Sequence, residues 1–555
     1  MKPAGGREFG DGFGALDDAR TTALMILARF AGQALAITLT LAASSAMGAA
    51  PAARPMASVA AGRLAGTLQD GVAVFRGVPY AAAPVGPLRW RAPRPVPAWP
   101  GVRDATRFGP ACPQGHPGGL TDIVPFGGAP EPTSEDCLTL NVWAPTGAPH
   151  GAPVMLFIHG GSGVMGAGSL PYYDGAGFAR DGVVLVTINY RLGALGGFTH
   201  PALSRAAAPG EPVSDYALMD QIAALRWVRR NIAAFGGDPG NVTVFGESAG
   251  GISALKLVSA PSAYGLFQRA IVESGGGWFP PPPSRGKAEA TGVAFAAALG
   301  VPASAPVGRL RRIPAAALTA SKLPAATFAD PRLSPENPTV AIASGRHAPI
   351  PLMIGANSGE DSLLNHGDGM AKAMAGVKPD MMKQLHHVYG PGLSDETVVR
   401  DYLRDALATA AARWVADNWS HKAPAYLYRF DHVDERARAR TDRAGHGSEL
   451  FYVFETLGRQ PADAVEPTPG DARLAADMHA RWIAFSRTGS PNPAGLQHWP
   501  AYSHTADPWM VFGPDGAAVQ QGVLKTQLDW HESRITPLIW LMRIEAFFQR
   551  LFRWL

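Results

Sequence analysis

One serine stands in a crowd of small residues in "NVTVFGESAGG" (residues 241–251): Ser248, among Gly246, Ala249, Gly250 and Gly251. The pattern is G-x-S-x-G. A nucleophile between a strand and a helix must occupy a very tight turn, and flanking glycines relieve the crowding that side chains would create there. Such a turn holds the hydroxyl above the strand end. It also sets the next amide, that of Ala249, at a helix N-terminus, where it can donate to a developing negative charge. Five residues with three fixed positions recur by chance, so the weight rests on context: an apolar strand before, and "GGISALKLV" after. A second glycine cluster, His159-Gly160-Gly161-Ser162 in "LFIHGGSGVMG", follows another apolar run. At this point it reads equally as a donor loop or as a plain glycine-rich turn.

The elements that must position these groups are apolar, β-branched runs. "PVMLFIHGG", "GVVLVTINYR", "NVTVFGES", "RAIVESGG", "IPLMIGANS" and "PAYLYRFDH" all read as strands buried on both faces, as in a mostly parallel sheet. Helical patterns separate them. "DYALMDQIAALRWVRRNIAAFGG" opens with Asp215 as N-cap and ends in Gly236-Gly237. Alternating strands and helices predict an α/β fold. Residues 280–340 and 366–420 interrupt the alternation and read as excursions over the top of the sheet. No internal repeat and no convincing linker divides residues 65–530.

The chain has 555 residues, 46% apolar and 17% charged, enough for a sizeable core. Its formal net charge of +4 is small for this length and dispersed, so nucleic-acid binding is not expected. The first 50 residues read as a signal peptide. "ALAITLTLAA" is a short apolar run behind Arg29, followed by small residues suited to cleavage, with Met25 as an alternative start. An uncleaved membrane anchor is the competing reading, disfavoured by the length of the run. Secretion or periplasmic export follows as an expectation. Cys112 and Cys137, the two cysteines, can form a disulfide in such a compartment or remain buried thiols. At the other end, residues 533–555 read as an amphipathic helix. Thr536 is its expected N-cap and Pro537 its first helical position, with Arg543, Arg550 and Arg553 on an apolar surface. It would lie on a membrane surface, self-associate, or pack on its own domain.

Several separate segments resemble the type B carboxylesterase and cholinesterase-like family of α/β-hydrolases. These are "FRGVPYAAAPVGPLRW", "SEDCLTLNVWAP", "VTINYRLGALGGF" and "AAFGGDPGNVTVFGESAGG", and the likeness spans roughly residues 65–532. The resemblance implies an α/β-hydrolase fold, with the catalytic domain over 51–532 and helical excursions above the site. It implies a disulfide between Cys112 and Cys137. It also implies a Ser, Glu, His triad in that chain order. Ser248 is the nucleophile. "IGANSGEDSLL" offers Glu360 as the acid, with Asp361 as competitor. "GHGSELFYVF" selects His446, with His432 as the only other plausible base. His159–Ser162 is similar to the family's oxyanion loop, so Gly161 and Ser162 would donate beside Ala249. Each such donor is worth about 3–4 kcal/mol of transition-state stabilisation.

The resemblance implies a serine carboxylesterase acting on a small-molecule or lipid-like ester, with no metal or organic cofactor. Glu247 matches a family glutamate that tunes the site, or has a structural hydrogen-bonding role. Where the family has Gly or Ala and then an aromatic residue, this chain has Ser162 and Gly163, which opens the pocket wall or loosens the loop. Trp278 and Phe279 are candidates for the acyl pocket, though large aromatics are more often plain core. Two other functions share the scaffold: a catalytically silent binding or adhesion protein, and an amidase or lactonase. The intact set Ser248, Glu360 and His446 argues against the first.

Overall fold

The computed structural model describes residues 54–115, 132–147, 151–321, 327–364, 368–434, 437–439, 441–459 and 467–551. The signal-peptide reading of residues 1–50, with Arg29 and Met25, lies outside the described residues.

Eleven strands form the main sheet: β1 Thr67–Gln69, β2 Val72–Pro79, β3 Thr139–Pro145, β4 Ala152–Ile158, β5 Val184–Ile188, β6 Gly237–Glu247, β7 Arg269–Glu273, β8 Leu352–Asn357, β9 Ala425–Phe430, β10 Pro508–Gly513 and β11 Gly516–Gln521. Their spatial order is β11-β10-β9-β8-β7-β6-β4-β5-β3-β2-β1. From β5 to β10 every neighbouring pair is parallel. The outer strands pair antiparallel. A separate three-stranded sheet holds Met56–Val59, Gly62–Ala65 and Val102–Asp104.

The middle stretches of the central strands are apolar because both faces are covered. Along β4, Val154, Leu156 and Ile158 enter one core cluster, while Met155 and Phe157 enter the other. This is the period-2 alternation of a strand with no wet side. Helices α1 (Tyr216–Asn231), α2 (Ala249–Val258) and α3 (Ala410–Ser420) cover the first face. Helix α4 (Pro469–Thr488) covers the second. Asp215 caps α1 by accepting from the Leu218 amide. Cys112 and Cys137 form the disulfide, 25 residues apart, a loop worth about 3.5 kcal/mol in the chain-entropy model.

The C-terminal helix α5 spans Lys525–Leu551, and Pro537 lies inside it. It therefore begins well before the expected Thr536 cap. The Thr536 hydroxyl donates back to the Glu532 carbonyl at 2.7 Å, as a mid-helix residue does. The early start follows from what the first turns reach. Buried Arg413 on α3 pairs with Asp529 (2.6 Å) and Glu532 (2.8 Å) of this helix and with Asp507 (3.3 Å). Leu528 is fully buried. Among the described residues no helix is long and apolar enough to cross a membrane.

Candidate active site

Ser248 occupies the junction of β6 and α2 with φ 54° and ψ −120°, a conformation that non-glycine residues rarely adopt. The small residues around it are required by close approach. A Cβ on Gly246 would lie 2.5 Å from the Gly250 carbonyl carbon and 2.6 Å from the Ile158 oxygen. A Cβ on Gly250 would overlap that same oxygen, and one on Gly251 would meet Gly275 Cα at 2.9 Å. The Ser248 amide donates to the Glu273 carbonyl at 2.8 Å. The Ala249 amide stands in the first turn of α2, where backbone N–H groups have no intrahelical acceptor.

The glycine loop after β4 packs directly on this turn. A Cβ on Gly160 would be 3.2 Å from Ser248 Cβ and 2.5 Å from Glu247 Oε2. Gly161 (φ 98°), Ser162 (φ 56°) and Gly163 (φ 69°) carry the backbone through the left-handed region. Buried His159 holds the loop from below. Its Nδ1 is 2.8 Å from the Gly160 oxygen, its ring stacks on Tyr190, and the Tyr190 hydroxyl donates to its carbonyl. Burial pushes the His159 pKa down to about 4, so the ring is neutral and Nδ1 carries the proton that the Gly160 oxygen accepts. Gln114, two residues from Cys112, clips the far end of the loop. Its Nε2 donates to the Gly166 carbonyl at 3.0 Å and its Oε1 accepts from the Gly166 amide at 2.9 Å. Neither His159 nor Gln114 was assigned this bracing role by sequence reasoning; the glycines give no sign of what grips them.

Glu360 lies in the 3₁₀ turn after β8, fully buried. Its Oε1 accepts from the Asn357 amide at 2.8 Å and its Oε2 meets His446 Nδ1 at 2.5 Å. Asp361 faces the opposite way, toward Arg400 at 2.9 Å and Arg443 at 3.8 Å. His432 is engaged with Asp471 at 2.5 Å, near the cap of α4. The loop bearing His446 is sewn to the loop bearing Glu360. The Gly359 amide donates to the Ala444 carbonyl, Ser358 and Ser362 hydroxyls accept from the amides of Ala444 and His446, and Asn357 Nδ2 donates to the Gly445 carbonyl.

The other ring nitrogen, His446 Nε2, is 3.1 Å from Glu247 Oε1. No hydrogen bond joins it to Ser248 Oγ in this state, so the imidazole lies between two carboxylates. Burial opposes charge on His446, but Glu247 and Glu360 outweigh it and push the pKa up to about 10. Burial, with Glu360 adding to it, raises Glu247 to about 7 even though His446 pulls the other way. Two further glutamates belong to this enclosed acidic group. Glu273 is raised to about 8 by burial, against the hydrogen bond it accepts from Trp482 Nε1 at 2.6 Å. Glu449 is raised by burial and by the neighbouring carboxylates, and Asn357 Nδ2 donates to it. Both were missed in the sequence: Glu449 follows His446 by three residues, but nothing local marks it as buried.

Trp278 and Phe279 pack against helical residues. The Trp278 ring lies 6.3 Å from that of His531 on α5, and the Phe279 amide donates to Thr339 Oγ1 at 2.8 Å. Both rings join the partly buried border of the main core.

A family model described as Carboxylesterase family matches residues 53–530. The chain is 37% identical over 477 residues to the para-nitrobenzyl esterase of Bacillus subtilis (strain 168), covering 80% of this chain and 91% of that protein. It is 34% identical over 484 residues to the fumonisin B1 esterase of Sphingopyxis macrogoltabida, covering 80% and 84%. Among solved structures, a PNB esterase superposes with a TM-score of 0.74 at 34% identity, covering 86% of this chain and 99% of the other. A Geobacillus stearothermophilus carboxylesterase gives a TM-score of 0.72 at 33% identity, covering 86% and 100%.

Proposed function

Because the chain belongs to the carboxylesterase family and is a carboxylic ester hydrolase with the α/β-hydrolase fold, we propose that it works through an acyl-enzyme on Ser248, with His446 as base and Glu360 as its orienting acid. Ser248 Oγ attacks the ester carbonyl while its proton passes to His446 Nε2. Glu360 holds Nδ1–H and stabilises the imidazolium. The backbone amides of Gly161, Ser162 and Ala249 receive the oxyanion. The imidazolium then protonates the leaving alcohol, and water, deprotonated by the same ring, releases the acid and restores Ser248. The observation that carries this reading is the strained backbone of Ser248, φ 54° at a helix N-terminus and packed against the glycine loop. Strain of this kind costs about 1–3 kcal/mol and persists at sites where it serves function.

Nε2 must leave Glu247 for Ser248 when substrate arrives. The Glu247 carboxylate, 3.1 Å from Nε2, and the imidazole each change the charge preference of the other, so the ascending limb of activity follows the pair rather than one group. Ser248→Ala is expected to abolish hydrolysis of short p-nitrophenyl esters, by roughly 10⁴-fold or more, with an unchanged circular dichroism spectrum. Retained turnover in that folded variant defeats the assignment.

We also propose that the protein is exported. The leader-like first 50 residues and the Cys112–Cys137 disulfide support this. Activity recovered with the cytosol after cell fractionation would overturn it. For α5 we propose contact with an anionic lipid surface. Leu538, Trp540 and Leu541 are 54–60% exposed there, and the surrounding sequence carries Arg534, Arg543, Arg550 and Arg553 against Glu545. Co-sedimentation with phosphatidylglycerol vesicles is expected, lost in Trp540→Ser/Leu541→Ser. A concentration-dependent dimer with no vesicle binding would show that a second copy, not lipid, covers the helix.

A further inference from the structure

A cleft of about 350 Å³ opens at the β1–β2 edge of the sheet, and none of the residues proposed for ester cleavage lines it. Its floor is apolar. Val72 and Val74 point into it from alternate positions of β2, and Trp143 on β3, the ladder partner of Val74, and Leu170 continue the surface. This size is at the lower end of small-molecule sites, which combine an apolar lining with a few fixed polar groups.

The polar groups of the cleft are unequally satisfied. Arg459 donates to Asp174 Oδ2 at 2.7 Å and to the Pro171 carbonyl, so its charge is met. Asp70 stands exposed at the rim, in the β1–β2 turn. Arg76, next on the same face of β2 after Val74, has no carboxylate within ion-pair distance among the described residues. Its Nη2 donates to the neutral amide of Gln69 at 2.5 Å, its Nε is buried without a partner, and its guanidinium lies 5.0 Å over the Phe108 ring. Ser169, 8% exposed, lines the same cleft with a buried hydroxyl that has no partner. Asp174 acts on this half-buried guanidinium only from beyond ion-pair distance, with Arg459 opposing it, so Arg76, held by one neutral amide and an aromatic face, lacks the direct charge-assisted pair an anion would give.

We propose that this cleft is a second binding site, for a small carboxylate with an apolar, aromatic or branched body. The carboxylate takes the open edge of Arg76 as a charge-assisted pair, and the body lies against Phe108 and Leu170, above the floor that Val72, Val74 and Trp143 form. A monoanion fits better than a phosphate, because Arg76 is the one lining cation with no carboxylate at ion-pair distance among the described residues, and Asp174 and Asp70 repel further negative charge. Acids of this description are what ester cleavage releases, so the site is suited to sensing product.

The probe is 4-phenylbutyrate, titrated calorimetrically into the full chain, with 4-phenylbutyramide as its neutral counterpart. The acid is expected to bind at least roughly 10-fold more tightly than the amide. Ser248→Ala should leave that affinity unchanged, which separates this site from the one proposed for catalysis. Arg76→Gln should weaken the acid by roughly 10-fold or more while short-ester turnover stays at its normal rate. Phe108→Glu is the second variant. Phe108 is 42% exposed, so the change is tolerated by the fold, and it sets a competing carboxylate beside Arg76. If Arg76→Gln fails to fold, Phe108→Glu decides. Equal binding of acid and amide, binding that survives substitution, or no binding up to roughly 10 mM overturns the proposal.

Discussion

The serine half of the site, residues 158–166 and 246–251, is shaped by side chains that are missing, whereas the histidine half, residues 357–362 and 444–449, is shaped by buried polar side chains. On the serine side the backbone of one loop passes so close to another that a single methyl group at Gly160, Gly246 or Gly250 would collide. On the histidine side two loops are joined by hydroxyls, an amide and carboxylates that have given up water. The first half is rigid by steric exclusion and brings one carboxylate, Glu247, to the imidazole. The second is rigid by hydrogen bonding and concentrates the ionisable groups. A reaction that must stabilise a transient oxyanion and move a proton has use for both: fixed amide dipoles on one side and a titratable store on the other.

The comparison breaks most severely at Gly250. Gly250→Ala is expected to remove all measurable turnover and to lower stability by about 2–4 kcal/mol, because the new methyl overlaps the Ile158 carbonyl. Thermal unfolding and an ester assay check it; a stable, active variant would mean the serine half is not sterically set. Next in size is Glu360→Gln. It should keep the fold and lower kcat by roughly 10³–10⁴-fold through loss of the imidazolium's partner. It should be milder than His446→Ala, while folded Asp361→Asn keeps turnover within about threefold of the parent, since buried Asp361 faces Arg400 and its loss falls on stability rather than on His446. The reverse pattern would move the acid by one residue.

Glu247→Gln sharpens the contrast without breaking it. The Glu247 carboxylate favours the imidazolium, so removing it lowers the pKa of His446, and the ascending limb of kcat/KM should shift to lower pH by about one unit or more. An unshifted limb would show that this carboxylate does not act on the ring. The smallest effect is expected at Glu449. Burial and neighbouring negative charge favour its neutral form, so Glu449→Gln, a neutral near-isostere, should change stability by less than about 1 kcal/mol. Glu449→Ala should cost about 1–3 kcal/mol by stranding the Asn357 amide. A large penalty for Gln would mean that the buried group is charged.

The same division explains what the sequence discloses. Glycines that permit close approach lie within a few residues of the serine they serve, so Gly246, Gly250 and Gly251 can be read locally. The both-face burial of β4 through β9 is legible as well, since an unbroken apolar run has no other use in a sheet. The groups around His446 come from β6, β7, β8 and the loop ahead of α4, and only folding brings Glu247, Glu273, Asn357 and Glu449 together. Motif resemblance supplied Glu360 and His446, but no spacing announces four enclosed glutamates. The start of α5 was misread for a related reason. Pro537 suits a first turn, and the pull that extends the helix back to Lys525 comes from Arg413, more than a hundred positions away.

That guanidinium also decides where the polypeptide can be shortened. Ending the chain before Asp529 would leave Arg413 buried against Asp507 alone, a loss on the order of 3–5 kcal/mol. A stop codon placed after Arg534 would retain all three carboxylates and the Leu528 anchor while deleting Leu538, Trp540 and Leu541. Trimming for crystals, for solubility or for a vesicle-free control therefore has a boundary written in ion pairs rather than at the edge of the matched family.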